Sequence, residues 1–193
     1  MPPACPMDHA DITPAPGVLL VAPPLLADPN FRRSVVLLCE HGEDGSFGLI
    51  LNRPMTIQPA EVLDDFYGYD EPLSLGGPVE PNTLHYLHRH GDVIPGAIRV
   101  FDGVYWGGDF EAVRTLTASG GASTGDLRFF LGYAGWSPGQ LDAEIDAGGW
   151  FLARAREAAI FPEDPDRLWR DVLRSMGREY ALLANFPDDP RMN

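Results

Sequence analysis

The chain contains no lysine: its 14 basic residues are all arginine, set against 28 Asp and Glu. Without a side-chain amine there can be no Schiff-base lysine and no P-loop lysine, so both chemistries are excluded. The shortage of positive charge excludes more. A formal net charge of −14 over 193 residues leaves no cationic surface for strong non-specific nucleic-acid binding or for docking on anionic lipid. Cysteine is also scarce. Cys5 stands in a proline-rich stretch and Cys39 in an apolar run, a pattern of reduced thiols in a cytoplasmic protein rather than of a disulfide framework. No apolar run approaches the ~20 residues of a membrane-spanning helix.

What is present is ordinary globular material, 45% hydrophobic and 22% charged, of a length that suits one domain. Residues 1–16 carry Pro2, Pro3, Pro6, Pro14 and Pro16 and have neither a basic nor an apolar signal region. They are expected to be a flexible lead-in to a single domain over 17–193. Apolar runs at 18–21, 34–41 and 47–52 read as strands. The last two form a hairpin about the turn 43–46, with 35–39 covered on both faces. Further strands are expected at 73–75, 83–88, 98–106 (turning at Asp102-Gly103), 127–133 and 150–153. Helices are expected at 58–66, at 110–118 capped by Asp109, after a capping box at Ser137-Pro138-Gly139-Gln140, and after Asp164-Pro165. In the last helix Leu168, Trp169, Val172, Leu173 and Met176 form one stripe, and Gly177 is its stop signal. Strands and helices mix without strict alternation. The reading is therefore α+β, with a mixed, largely antiparallel sheet and flanking helices.

No assembled catalytic set is visible. His85, His88 and His90 lie close in sequence, but neither a strand nor a helix gathers all three, so no metal and no cofactor is expected. Cys39 and His41 would share a strand face and could form a dyad, although a cysteine in an apolar run is ordinarily inert packing. Serine has no G-x-S-x-G setting. The candidate binding residues are backbone-rich loops instead. Asn52 and Arg53 end a central strand, where Arg53 could hold an anion and Asn52 could equally fix a turn. Gly76 and Gly77 suit a tight turn more than a phosphate loop. Ser137 and Gln140 present free N–H groups at a helix start, with Trp136 beside them as a pocket wall or as core.

Several blocks together resemble one known family. They are LLVAPPLLADPNF at 19–31, RSVVLLCEH at 33–41, GLILNRP at 48–54, GGPV at 76–79 and LGYAGWSPGQLDAEI at 131–145, followed by Trp150. In this order they are similar to the YqgE/AlgH family of bacterial proteins. The resemblance implies a compact α+β fold whose mixed sheet curls towards a barrel, and a bacterial cytoplasmic protein. Some members carry the label of transcriptional regulator, after a proposed role in alginate production. It supplies no catalytic residues.

Two functions follow as expectations. The first is a non-enzymatic regulatory or interaction protein that contacts a protein partner or a small anionic ligand, with direct nucleic-acid binding and membrane association disfavoured. The alternative is an anion- or nucleotide-binding protein or enzyme built on the Asn52-Arg53, Gly76-Gly77 and Ser137 loops, which requires those loops to converge. Charge is unevenly spread. Residues 1–96 carry 13 acids and 4 arginines, whereas 97–193 carry 15 acids and 10 arginines. On the last helix arginines and aspartates interleave at pairing distances. Arg53, with few basic neighbours in sequence, is the arginine most worth following.

Overall fold

The computed structural model describes residues 12–123 and 125–187, so Cys5 and most of the expected lead-in lie outside the described residues. Within that stretch, Ile12 and Ala15 already pack against a buried cluster, and the Gly17 N–H donates to the Leu38 carbonyl at 2.9 Å.

Nine strands form a mixed, largely antiparallel sheet among the described residues. They are β1 Val18–Val21, β2 Val35–Gly42, β3 Gly45–Ile50, β4 Ser74–Leu75, β5 Val79–His88, β6 Ile98–Phe101, β7 Val104–Trp106, β8 Leu127–Trp136 and β9 Phe151–Arg154. The sheet order is β6-β7-β5-β8-β3-β2-β1-β9, and β4 pairs parallel with β8. The β2–β3 hairpin sits in the middle, as its two-sided apolar run requires. The sheet also curls. A Cβ on Gly17, just before β1, would lie 2.9 Å from Phe101 Cβ at the far end of the strand order.

Helices cover both sides. They are α1 Pro59–Val62, α2 Phe110–Ala118, α3 Gln140–Asp146, α4 Glu157–Ile160, α5 Leu168–Ser175 (preceded by a 3-10 turn at Pro165–Arg167) and α6 Arg178–Leu183. The period-2 alternation of β2 divides the core. Val35, Leu37 and Cys39 face the α5 stripe, which is buried throughout, whereas Val36 and Leu38 face Trp136, Leu141 and Trp150. A third cluster, around Phe66 and Phe129, lies beneath α2.

The sequence reading needs correction at several elements. The helix at 58–66 is a single turn. It begins with a reciprocal capping box between Gln58 and Glu61, but Leu63 is already extended. Phe66 leaves the helix path to stack edge-on to Phe129, with ring centroids 5.3 Å apart, so burial of an aromatic outweighs continuation of the helix. The strand expected at 127–133 runs on to Trp136, because β3 pairs with Ala134, Gly135 and Trp136. The capping box at Ser137 is half formed. Gln140 Oε1 accepts from the Ser137 N–H at 3.0 Å, but α3 starts at Gln140 with a left-handed Gly139 as its N-cap. Finally, β5 begins at Val79 rather than at 83, and α4 and α6 are helices where the sequence reading placed none. Gly177 does end α5, and the chain then turns into α6.

Candidate functional site

The candidate site starts from one buried amide. Asn52 follows β3, and its side chain reaches across to the segment before β2. Its Oδ1 accepts from the Val35 N–H at 2.9 Å, and its Nδ2 donates to the Arg33 carbonyl at 2.8 Å. Arg33 needs that restraint, because its backbone is left-handed (φ 52°), a conformation costly for a residue with a side chain. Arg53 then donates to the carbonyls of Asn52 and Arg32. The Asn52-Arg53 pair therefore ties down the 26–33 loop, some 20 residues earlier in the chain.

The tie creates a cavity of about 370 Å³ between the loop and the start of α5. Among the described residues four arginines line it, Arg32, Arg33, Arg53 and Arg170, with Asp166 as the one carboxylate and Trp169 as a wall. Arg33 lies over the Trp169 ring at 4.6 Å and donates to the carbonyls of Phe186 and Pro187, both at 2.6 Å. Trp169 is itself held by its indole N–H on the Ala22 carbonyl at 2.8 Å. Burial lowers the pKa of Arg53, and Asp166 partly restores it. The exposed Arg32 guanidinium makes no hydrogen bond or ion pair among the described residues. In a chain of net charge −14, a cavity with this lining is a local reversal of sign.

The remaining candidates do not join it. Trp136 and Gln140 line a second cavity of about 350 Å³ on the other side of the same loop, together with Phe31, Glu144 and Trp150. Ser137 lies near it, at the start of the turn into α3. Gly76 and Gly77 line neither cavity and are wedged against β8. A Cβ on Gly76 would fall 2.2 Å from the Gly132 carbonyl oxygen, and one on Gly77 2.1 Å from the Tyr133 carbonyl carbon. The Gly76 N–H donates to the Leu131 carbonyl, and its own carbonyl accepts from the Ile50 N–H, both at 2.8 Å. These glycines splice β4 between β3 and β8, and the absence of side chains serves that close approach.

Cys39 and His41 do not form a dyad. The register of β2 against β3 slips between Leu38 and Glu40, and this bulge reverses the alternation. Cys39 points into the α5 side of the core, fully buried, and burial pushes its thiol pKa far up. His41 lies towards α3, with Nδ1 2.8 Å from Ser46 Oγ and Nε2 3.7 Å from Asp142. The histidines of β5 are also apart. His88 is buried and stacks near His90, while His85 packs on Phe47. No group of three or more His, Cys, Asp or Glu is placed to hold a metal among the described residues.

The arginines are what the sequence reading missed. Arg32, Arg33 and Arg170 join Arg53 only in three dimensions. A half-buried arginine was missed as well. Arg128 donates to the carbonyls of Ile160 and Leu51 and to Ser74 Oγ, at 2.7, 2.8 and 3.0 Å.

The comparisons with known proteins agree with this architecture. A family model described as AlgH-like matches residues 19–181. The chain belongs to the AlgH-like family. It is 49% identical over 178 residues to a UPF0301 protein of Chlorobaculum tepidum, covering 92% of this chain and 95% of that one. A UPF0301 protein of Cytophaga hutchinsonii is 41% identical over 178 residues, covering 92% and 98%. Among solved structures, protein DIP2367 from Corynebacterium diphtheriae superposes with a TM-score of 0.77 at 28% identity, over 95% of this chain and 99% of that one. The solution structure of the AlgH protein from Pseudomonas aeruginosa gives 0.71 at 27% identity, over 97% and 98%. The curled α+β architecture is thus the AlgH-like fold. The arginine-lined cavity is built on blocks at 33–41 and 48–54 that carried the family resemblance, and on α5, which lies within the matched range. No helix among the described residues is long and apolar enough to cross a membrane.

Proposed function

We propose that this AlgH-like protein is a non-enzymatic regulatory or interaction protein that works by taking an anionic group into the arginine-lined cavity. The group is a phosphate, sulfate-like or carboxylate moiety, carried by a small ligand or by a protein partner. The observation that carries the reading is the convergence of Arg32, Arg33, Arg53 and Arg170 around one cavity that holds a single carboxylate among the described residues, in a strongly acidic chain. Guanidinium groups recognise planar and tetrahedral oxyanions through paired N–H donors, and a restrained backbone reduces the ordering cost of binding.

Two further points favour a binder over an enzyme. The loops that the enzymatic alternative required to meet are distributed over two cavities and a strand splice. The Cys39 thiol, half of the only dyad the sequence suggested, is buried with a raised pKa. Any effect on transcription would be indirect. A duplex needs an extended cationic track to release its counterions, and a chain with 14 arginines against 28 Asp and Glu is poorly suited to supply one.

The test is a thermal-shift and calorimetric titration with inorganic sulfate and phosphate. An anion at 100 times its dissociation constant should add about 2.7 kcal/mol of stability. Arg32→Ala, at an exposed side chain that supports no fold contact, should weaken binding about tenfold. Unchanged melting in both anions, or an Arg32→Ala variant that binds as well as the parent, overturns the proposal. A gel shift showing tight, sequence-specific DNA binding at physiological salt would overturn the indirect role.

A further inference from the structure

The second cavity is opposite in character. Three aromatic rings close its base. Phe31 stacks on Trp136 with centroids 6.1 Å apart, and Trp150 meets both edge-on, at 5.5 Å from Phe31 and 6.1 Å from Trp136. Glu144 on α3 is set among them, half-buried. Its Oε2 accepts the indole N–H groups of both Trp136 and Trp150, each at 2.9 Å, and its Oε1 accepts from Gln140 Nε2 at 2.9 Å. All of these donors are neutral. No arginine or histidine pairs with Glu144 among the described residues. The helix that carries it adds Asp142 and Asp146 and has no basic residue in its last turn, and Asp28 stands at the cavity's edge.

A negative charge held by neutral donors, lined by aromatic rings and open to a cavity of about 350 Å³, is a setting for an organic cation. The hydrogen-bond inventory says which kind. A carboxylate offers about four lone-pair directions, two on each oxygen. Both on Oε2 are taken by the indoles, and one on Oε1 is taken by Gln140. One strong acceptor direction remains. A guanidinium binds a carboxylate best through two parallel N–H bonds, one to each oxygen, and that mode is blocked. An ammonium group donates from a single point and fits what is left, while its alkyl stem can lie on the rings.

We infer that the Phe31–Trp136–Trp150–Glu144 cavity binds an alkylammonium group. The chain has no lysine of its own to fill it, so the group comes from another molecule, either the lysine side chain of a partner or a free polyamine. The site is independent of the arginine-lined cavity and of whatever anion that cavity takes.

The experiment follows the four indole N–H resonances by NMR in a titration at physiological salt. Trp106→Phe and Trp169→Phe identify the two control signals. Nα-acetyl-lysine amide should move the Trp136 and Trp150 signals and leave those of Trp106 and Trp169 in place. Putrescine run in parallel separates the sources. Tighter binding of the lysine analogue points to a partner's side chain, and tighter binding of the diamine points to a free polyamine; either result supports the alkylammonium site. Glu144→Gln should weaken the response about tenfold. The inference is overturned if the two indoles stay still at millimolar lysine analogue, if all four move alike, if the parent protein prefers Nα-acetyl-arginine amide to the lysine analogue, or if Glu144→Gln binds unchanged. Sulfate titrations of the same samples report on the other cavity, so the failure of one proposal is visible apart from the other.

Discussion

The two cavities lie on opposite sides of one loop and are built in opposite ways. Residues 26–33 give Phe31 to the aromatic cavity and Arg32 and Arg33 to the arginine-lined one. The aromatic cavity is otherwise local, with its main groups drawn from the 136–150 stretch that runs from the end of β8 through α3. The arginine-lined cavity is assembled from three distant segments, at 32–33, 52–53 and 166–170. Its shape rests on the Asn52 amide holding a strained backbone from 19 residues away. One cavity therefore depends on a short motif folding on itself. The other depends on long-range hydrogen bonds that exist only when the whole sheet has formed.

The strongest way to break this comparison is at the shared support. Asn52→Ala leaves the Val35 N–H and the Arg33 carbonyl buried without partners and releases the left-handed Arg33. The expected destabilisation is about 3 kcal/mol in urea unfolding, because each unsatisfied buried group costs on the order of 1–3 kcal/mol. Sulfate binding should be lost with it, and the shift of Phe31 should also weaken binding at the aromatic cavity. A variant that unfolds like the parent would mean that the loop is held by something other than this amide.

A smaller perturbation should separate the two sides. Arg53→Ala removes one guanidinium from the lining and two donations to loop carbonyls, so sulfate affinity should fall about tenfold. The Trp136 and Trp150 signals should still respond to the lysine analogue. Glu144→Gln should give the mirror result, with sulfate unaffected. Calorimetry on both variants checks the crossover. If each variant weakened both ligands equally, the two cavities would be one coupled site.

The same contrast explains what could be read from the sequence. The strands with strong local signals were legible: the two-sided run of β2, the β2–β3 hairpin, the α5 stripe and the Asp109 cap on α2 are all where periodicity and turn chemistry put them. Trp136 and Gln140 were legible as neighbours because they are four residues apart in one motif. The arginine cluster was not, since nothing in the neighbourhood of Arg53 in sequence announces Arg32, Arg33 or Arg170. Simple strand alternation also misled. It put Cys39 and His41 on one face, and a one-residue bulge at that point placed them on opposite sides of the sheet. Tertiary demand shortened α1, because Phe66 had to reach Phe129. Arg128 looked like one more strand residue, yet it joins β8 to the ends of β3, β4 and α4.

Cys39 provides a prediction of no effect. In a Cys5→Ser background a maleimide should fail to label the folded protein and should label it fully in urea, because Cys39 is fully buried and burial raises its thiol pKa. Labelling of the native state at the rate of a free thiol would show that the α5 side of the core opens. Both cavities border α5 or the loop beside it, so their geometry would then be transient.

The smallest expected effect is of pH, and it should fall outside both cavities. His88, the last residue of β5, is fully buried. Its Nε2 lies 2.9 Å from the Gly107 carbonyl, and its Nδ1 accepts from the His90 N–H at 3.1 Å. That pairing fits a neutral ring with the proton on Nε2 and leaves no place for a second proton. Burial lowers the His88 pKa from 6.5, the Gly107 hydrogen bond opposes the shift, and His90 adds to it. Below pH 6.5 the unfolded chain therefore takes up a proton that the folded chain refuses, and stability falls as pH drops through that value. The loss levels off once the pH is below the folded-state pKa. His85, half-buried on Phe47, shifts in the same direction, so the useful quantity is the difference between the parent and His88→Gln. Urea unfolding between pH 8 and 5.5 should give a shallower pH slope for the variant. Sulfate affinity should hardly change over the same range, since the arginines stay charged and sulfate does not titrate there. Identical slopes in the two proteins would mean that His88 accepts its second proton in the folded state. A sulfate affinity that followed the stability curve would tie the arginine-lined cavity to the histidine side of the sheet, and the two regions could no longer be treated as independent.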